Sequence, residues 1–291
     1  GDCPFLVTCI GDDTAVIKTN SKYQLSTVDS LVEGVHFKRE YLDWASLGWK
    51  ALAVNLSDIA AMGGRPRYAL VSLALPVDVD VDNVVSLYRG MLELAKESDT
   101  VIAGGNISRA AELSVHVTVI GEVQSKSKML LRSKAKKGDL IAVTGSLGGA
   151  AAGLDVLEGS LKPDQFDADE LTRAFWRPKP RLDVGQLLVK HGIRCAIDIS
   201  DGLLADLGHI LKASKVGARL TAECIPVNQS LVSVGRTDAT CVAVSGGEDY
   251  ELLFIGKPEA IEKVMDEASC PVTVIGEIIR GIGKIDVLDA E

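Results

Sequence analysis

The sequence predicts an α/β (α+β) fold in two domains, and three observations carry that reading. The chain has 291 residues, long for one core and comfortable for two domains of ordinary size. Short β-prone runs alternate with segments of helical spacing along its length. One heptapeptide nearly repeats, Val117-Thr-Val-Ile-Gly-Glu-Val123 against Val272-Thr-Val-Ile-Gly-Glu-Ile278. Two related α/β halves would produce that echo, and so would chance between two β-rich segments.

Taken in order, Thr14–Lys18 and Tyr23–Thr27 are expected as short strands. Ser46–Met62 has helical spacing, with Leu47, Ala51, Val54, Ile59 and Met62 recurring and Gly63-Gly64 as a stop. Tyr68–Leu75 predicts a strand. Asp82–Ser98 predicts an amphipathic helix capped by Asp82, with Val84, Leu87, Met91, Leu92 and Ala95 inward. Leu113–Val123 alternates as a strand should, with Leu113, Val115, Val117 and Val119 on one side. Basic residues gather at Lys126–Lys137 before Gly138-Asp139, and the boundary is set there: residues 1–137 form one domain and residues 138–291 the other.

The second half restarts with a strand at Leu140–Thr144, a Gly-rich turn and a helix from about Gly149. Phe166–Pro180 reads as an irregular crossing. A helix at Arg181–His191, a strand at Cys195–Ile199 and a helix at Gly202–Lys215 follow. Strands are expected at Arg219–Ala222, Cys241–Val244 and Tyr250–Ile255, then a helix at Glu259–Ala268 and a strand at Pro271–Ile278.

Composition narrows the function. The net charge is −9 and no basic patch stands out, which argues against a nucleic-acid partner. The acidic excess suits either cation binding or plain solubility. No charge-free apolar run, Tyr68–Val77 among them, reaches the roughly 20 residues of a membrane helix, so no membrane partner is expected. The N-terminus shows no secretory leader, although Gly1-Asp2 leaves room for an upstream segment. Cys3, Cys9, Cys195, Cys224, Cys241 and Cys270 form no CxxC pair and mostly sit in apolar runs. They read as small buried hydrophobes of a protein in a reducing cytoplasm.

Familiar nucleotide loops are absent: there is no GxxxxGK[ST] and no HRD or DFG set. Gly145-Ser-Leu-Gly-Gly149 after a strand would hold a phosphate or simply let a helix pack closely. The acidic positions are more telling. Asp12-Asp13 precede a strand, Asp29 follows one, and Asp198 and Asp201 flank a strand end in Ile197-Asp-Ile-Ser-Asp-Gly202. Glu248-Asp249 follow Ser245-Gly-Gly247 between two strands. A single Asp in a turn is usually a cap. Asp58, inside Val54-Asn-Leu-Ser-Asp-Ile-Ala60, is different. A carboxylate among apolar helix residues costs several kcal/mol unless paired or metal-bound. Carboxylates converging from both halves would suit Mg²⁺, a hard cation that takes oxygen ligands.

Several of these segments, taken together, resemble the successive signatures of the thiamine-monophosphate kinase family. They are Gly11-Asp-Asp-Thr-Ala-Val-Ile17, Asp29-Ser-Leu-Val-Glu-Gly-Val-His-Phe37, Lys50–Gly63, Arg132–Asp139, Ala196-Ile-Asp-Ile-Ser-Asp-Gly-Leu203 and Val244-Ser-Gly-Gly-Glu-Asp-Tyr-Glu-Leu252. The likeness runs in order from about residue 10 to residue 280. It implies a PurM-like (aminoimidazole-ribonucleotide-synthetase) fold, with an N-terminal ATP- and metal-binding domain whose strands join a second subunit in a β-barrel, hence a homodimer. It implies phosphorylation of thiamine monophosphate by ATP. Asp13, Thr27, Asp29, Asp58, Asp198 and Asp201 would then hold several Mg²⁺ ions. Gly105, Asn106, Arg132 and Ser200 would contact ATP, and His36 and Glu248 the thiamine phosphate, with no residue acting as a general base.

Two departures stand out. The family usually has Gly-Gly-Asp where this chain has Gly104-Gly105-Asn106, and it often carries an aromatic tail where this chain ends Gly283–Glu291. Alternatives are another enzyme of the superfamily or a non-catalytic nucleotide-binding relative. A hydrogenase-maturation dehydratase needs a reactive C-terminal cysteine, and the last cysteine here is Cys270. A selenophosphate synthetase needs a reactive Cys and Lys in a Gly-rich N-terminal loop, which this sequence lacks.

Overall fold

The computed structural model describes residues 6–8, 12–19 and 23–288. Cys3, Cys9, Gly11 and the last three residues lie outside that range. The first half contains β1 (Leu6–Thr8), β2 (Ala15–Lys18), β3 (Tyr23–Val32), α1 (Trp44–Ala61), β4 (Arg65–Leu75), α2 (Val81–Glu97), β5 (Val101–Arg109) and β6 (Ser114–Val123). Its sheet runs in the order β1-β2-β3-β6-β4-β5. Only β4 and β5 pair in parallel, across the helical connection α2.

The second half holds β7 (Leu140–Thr144), α3 (Gly149–Leu157), α4 (Gln165–Trp176), α5 (Leu182–Lys190), β8 (Cys195–Asp198), α6 (Leu203–Ser214) and β9 (Gly217–Thr221). It continues with α7 (Gln229–Ser233), α8 (Ala239–Ser245), β10 (Leu252–Gly256), α9 (Pro258–Glu267), β11 (Val272–Ile279) and β12 (Ile285–Leu288). Its sheet runs β12-β9-β11-β7-β10-β8. The echoed heptapeptides fall on β6 and β11, each a central strand. The two strand orders differ, so the echo does not mark a duplicated topology.

Helix α1 ties the halves together. Asp43 caps it by accepting from Ser46 N–H at 3.1 Å. Leu47, Ala51, Val54, Ile59 and Met62 are all buried, as their spacing predicts. One side packs on β3 and β6 and another on α5 and β8, which is why the helix is apolar nearly all round. Strand β6 buries Val115, Val117 and Val119 against it. The opposite face of this sheet carries Val28, Tyr68 and Leu70 in exposed positions.

Several expectations are corrected. Strand β3 continues through Asp29, so Asp29 lies inside the strand rather than after it. Helix α2 is preceded by Asp80 and has Asp82 in its first turn. Leu92 is exposed there and Leu94 takes the buried place. Residues 166–180 are not irregular: α4 fills most of them, because the carboxylate of Asp164 accepts from Asp167 N–H and Leu171, Phe175 and Trp176 form a buried face. Residues 241–244 belong to helix α8, not a strand, so Glu248 and Asp249 sit between a helix and a strand. Their β-branched run is overridden by packing against α6. Cys195 is buried, but Cys224 and Cys241 are exposed.

Candidate active site

Three carboxylates from distant segments meet where α1 passes between the sheets. Asp58 projects from α1, Asp13 stands just ahead of β2, and Asp198 is the last residue of β8. Their oxygens lie within 4.8 Å of one another. The side chain of Asp13 is 1% exposed and Asp198 is 4% exposed. Thr27 on β3 donates its hydroxyl to Asp58 Oδ2. Asp29, two residues along the same strand, has its backbone N–H held by Asn55 Oδ1 of α1 at 3.0 Å.

The electrostatics follow from burial and crowding. Burial pushes the Asp58 carboxyl well above its usual range, the charges of Asp198, Asp13 and Asp29 add to this, and the Thr27 hydroxyl opposes it. Asp198 is raised likewise, first by burial and then by Asp13. Burial also raises Asp29, with His36 opposing. Among the described residues, the cation that pairs with this group is Arg132, whose guanidinium donates to Asp13 Oδ1 at 2.9 Å and Oδ2 at 3.4 Å. Its backbone N–H is held by Asp12 Oδ1 at 2.9 Å. Three carboxylates facing one guanidinium leave an uncompensated negative site, costly to bury without a counter-cation. The donors are all oxygen, with no thiolate or imidazole among them, which fits a hard dication such as Mg²⁺.

Around this centre the other residues fall into place unevenly. His36 follows β3, and its Nδ1 accepts from Val32 N–H at 3.1 Å, so the neutral ring carries its proton on Nε2. Glu248 lies in a strained loop: both Glu248 and Tyr250 have positive φ, 68° and 52°. The loop is pinned by Glu248 N–H to Ser200 O at 2.8 Å and Tyr250 N–H to Ile199 O at 2.9 Å. Tyr250 is buried, and burial followed by the charges of Glu248, Asp198, Asp29 and Asp58 keeps its hydroxyl protonated. Asp201 is exposed and groups instead with Asp206 and His209. Asp206 Oδ2 accepts from Ser200 N–H and Asp201 N–H, both at 3.0 Å, and so shapes the turn after β8. Gly105 and Asn106 lie exposed on the edge strand β5, opposite Val71 and Ser72. A Cβ on Gly105 would fall 1.7 Å from Val71 O, and its φ is 157°, so only glycine lets β5 close on β4 there. Neither Gly105 nor Asn106 is hydrogen-bonded to the three carboxylates among the described residues.

The Gly-rich turn before α3 has a structural role. The carboxylate of Asp249 accepts from Gly148 N–H at 2.7 Å and Ala150 N–H at 3.1 Å, so a side chain fills the place where a phosphate would sit. Sequence reasoning named Asp249 among the acidic positions and Lys50 at the start of a signature segment, but gave neither a role. Lys50 is 1% exposed on α1, and its ammonium lies 3.0 Å from Glu248 Oε2. A lysine one residue after Trp49 inside an apolar helix was the signal, of the same kind that marked Asp58.

The family described as AIR synthase related protein, N-terminal domain, matches residues 11–123, and its C-terminal domain matches residues 136–287. Thiamine-monophosphate kinase of Haemophilus influenzae is 40% identical over 281 residues, spanning 94% of this chain and 84% of that protein. The solved structure of AaThiL complexed with AMPPCP and TMP superposes with a TM-score of 0.88 at 34% identity, covering 97% of this chain and 89% of that one. Hydrogenase maturation protein HypE in complex with ATP superposes with a TM-score of 0.74 at 20% identity, covering 99% of this chain and 88% of that one, a likeness of fold alone. With two domain matches across most of its length and a relative this similar, the chain belongs to the thiamine-monophosphate kinase family of AIR synthase related proteins.

Proposed function

We propose that the chain transfers the γ-phosphoryl group of ATP to the phosphate of thiamine monophosphate, giving thiamine diphosphate and ADP. The observation that carries this reading is the meeting of Asp13, Asp58 and Asp198 beside Arg132, in a chain akin to a kinase of that name. Asp13, Asp58 and Asp198 would hold Mg²⁺, with Thr27, Asp29 and Asp201 around them. The bound ions would supply the positive charge that lets two polyanions approach.

The protein's own groups do the rest. Arg132 is anchored at its backbone by Asp12 and presents its guanidinium to the nucleotide phosphates. Gly105 lets the nucleotide approach the backbone of β5, with Asn106 and Ser200 as further ATP contacts. His36 offers Nε2–H to the thiamine phosphate, and Glu248 offers its remaining oxygen. The acceptor needs no general base, because a phosphate monoester with its second pKa near 6 is already largely a dianion at neutral pH.

The domains divide between residues 137 and 138. The uncovered sheet face bearing Val28, Tyr68 and Leu70 supports a homodimer joined through the N-terminal strands. A cytoplasmic location fits the free thiols of Cys195, Cys224, Cys241 and Cys270, and no described helix is long and apolar enough to cross a membrane. ADP release from ATP and Mg²⁺, measured with and without thiamine monophosphate, tests the activity. Stimulation by thiamine monophosphate but not by thiamine is expected. ATP turnover only with an unrelated phosphate acceptor would overturn the substrate.

A further inference from the structure

We infer that Lys50 is a positioning residue that fixes the Glu248 carboxylate at a set distance from the metal-binding end of α1. The inference rests on the reading of Glu248 as a contact of the thiamine phosphate.

Lys50 is among the largest fully buried side chains of the protein. Its ammonium has three donors and, among the described residues, a single carboxylate partner, Glu248 Oε2 at 3.0 Å. The rest of its charge rests on aromatic faces, 3.4 Å from the Phe175 ring centroid and 5.9 Å from that of Trp176. Burial pulls the ammonium below its usual range, and the Glu248 carboxylate opposes this. A core that needed only volume at this place would be served by methionine, without the desolvation of a charge.

Glu248 is the other half of the device. Its side chain is 27% exposed while Oε2 faces the lysine, so the carboxylate is held and still within reach of a ligand. Its backbone is already held by Ser200 O, and its neighbour Asp249 is locked onto Gly148 and Ala150. The freedom left is that of the side-chain torsions, and the Lys50 ammonium removes it. Lys50 and Asp58 share one rigid helix, their Cα atoms about 12 Å apart along its axis at 1.5 Å per residue. Helix α1 therefore acts as a ruler between the carboxylate that takes the phosphate end, through metal, and the carboxylate that takes the donor-bearing end of the same ligand. A ligand that places its phosphate on the metal and lacks a donor at that span loses the Glu248 contact.

The test is a double-mutant cycle on the full-length chain. Lys50→Met is expected to raise the KM for thiamine monophosphate about tenfold, equivalent to about 1.4 kcal/mol, with the KM for ATP and kcat each within about twofold. Glu248→Gln is expected to do the same, and Lys50→Met added to Glu248→Gln to change KM by less than about twofold, because the lysine acts through that carboxylate. If Lys50→Met does not fold, Lys50→Gln carries the same expectation. Multiplicative effects of the two substitutions, an unshifted KM, or an equal rise in the KM for ATP would overturn the positioning role. Wild-type protein that forms no thiamine diphosphate would overturn the activity reading and this inference together. Wild-type turnover with an unshifted KM in the variant would overturn this inference alone.

Discussion

Replacing Asp58 by asparagine separates a metal-binding role from a structural one, because the two make opposite predictions for stability. The carboxylate lies within 4.8 Å of those of Asp13 and Asp198. Two unit charges at that separation repel by about 3.5 kcal/mol at an effective dielectric of about 20. Partial protonation and the Arg132 pairing of Asp13 relieve part of this, leaving roughly 2 kcal/mol for Asp58→Asn to recover in metal-free buffer. The amide keeps an acceptor for the Thr27 hydroxyl and can donate to its former rivals. At roughly 2–4 °C per kcal/mol for a chain of this order of size, the Tm in chelator should rise by about 5 °C. Turnover should fall by about 10²–10³, the usual cost of removing one group that stabilises transition-state charge. Differential scanning fluorimetry in EDTA and a coupled ADP assay at saturating Mg²⁺ read the two effects. A variant that unfolds, or one that turns over like the wild type, would refute the reasoning.

Two further outcomes are expected. Asn106→Asp should lower the Mg²⁺ concentration for half-maximal rate by up to about thirtyfold, since an added carboxylate about 4 Å from a dication is worth about 2 kcal/mol even in water-like surroundings. A raised requirement in a Mg²⁺ titration at fixed ATP would mean that a neighbour such as Ser108 or Glu112 already fills that role. Asp249 is pushed up to about 7, first by burial and against the N–H groups of Gly148 and Ala150. Its favourable contribution is therefore present below pH 4 and is lost as pH rises through about 7. Urea unfolding of wild type and Asp249→Asn at pH 5 and pH 8 should show the wild type losing up to about 2.6 kcal/mol relative to the variant, and a relative gain would contradict this.

Local signals made parts of this protein legible in its sequence. The apolar spacing of α1 and the alternation of β6 correspond to buried faces because β6 lays one face on α1, while α1 is packed on several sides. Asp58 stood out as a charge among apolar helix residues. Lys50 carries the same signature, yet its meaning lies in Phe175 and Glu248, far away in the chain. Strand β5 was hidden by Gly104-Gly105 and by its exposed edge position, which removes the alternation that marks a half-buried strand. Helix α8 was hidden by a β-branched run whose burial comes from α6. The convergence of Asp13, Asp58 and Asp198 depends on where three separate segments end, and no spacing rule predicts that. It was reached through resemblance to a family, and the geometry then supplied the reason for those residues.

The central claim is most directly tested by following label from [γ-³²P]ATP in the presence of Mg²⁺ and thiamine monophosphate. The label is expected to appear in thiamine diphosphate, in step with ADP, and the transfer to stop in EDTA. Label released only as inorganic phosphate, or transfer that continues unchanged in EDTA, would contradict it.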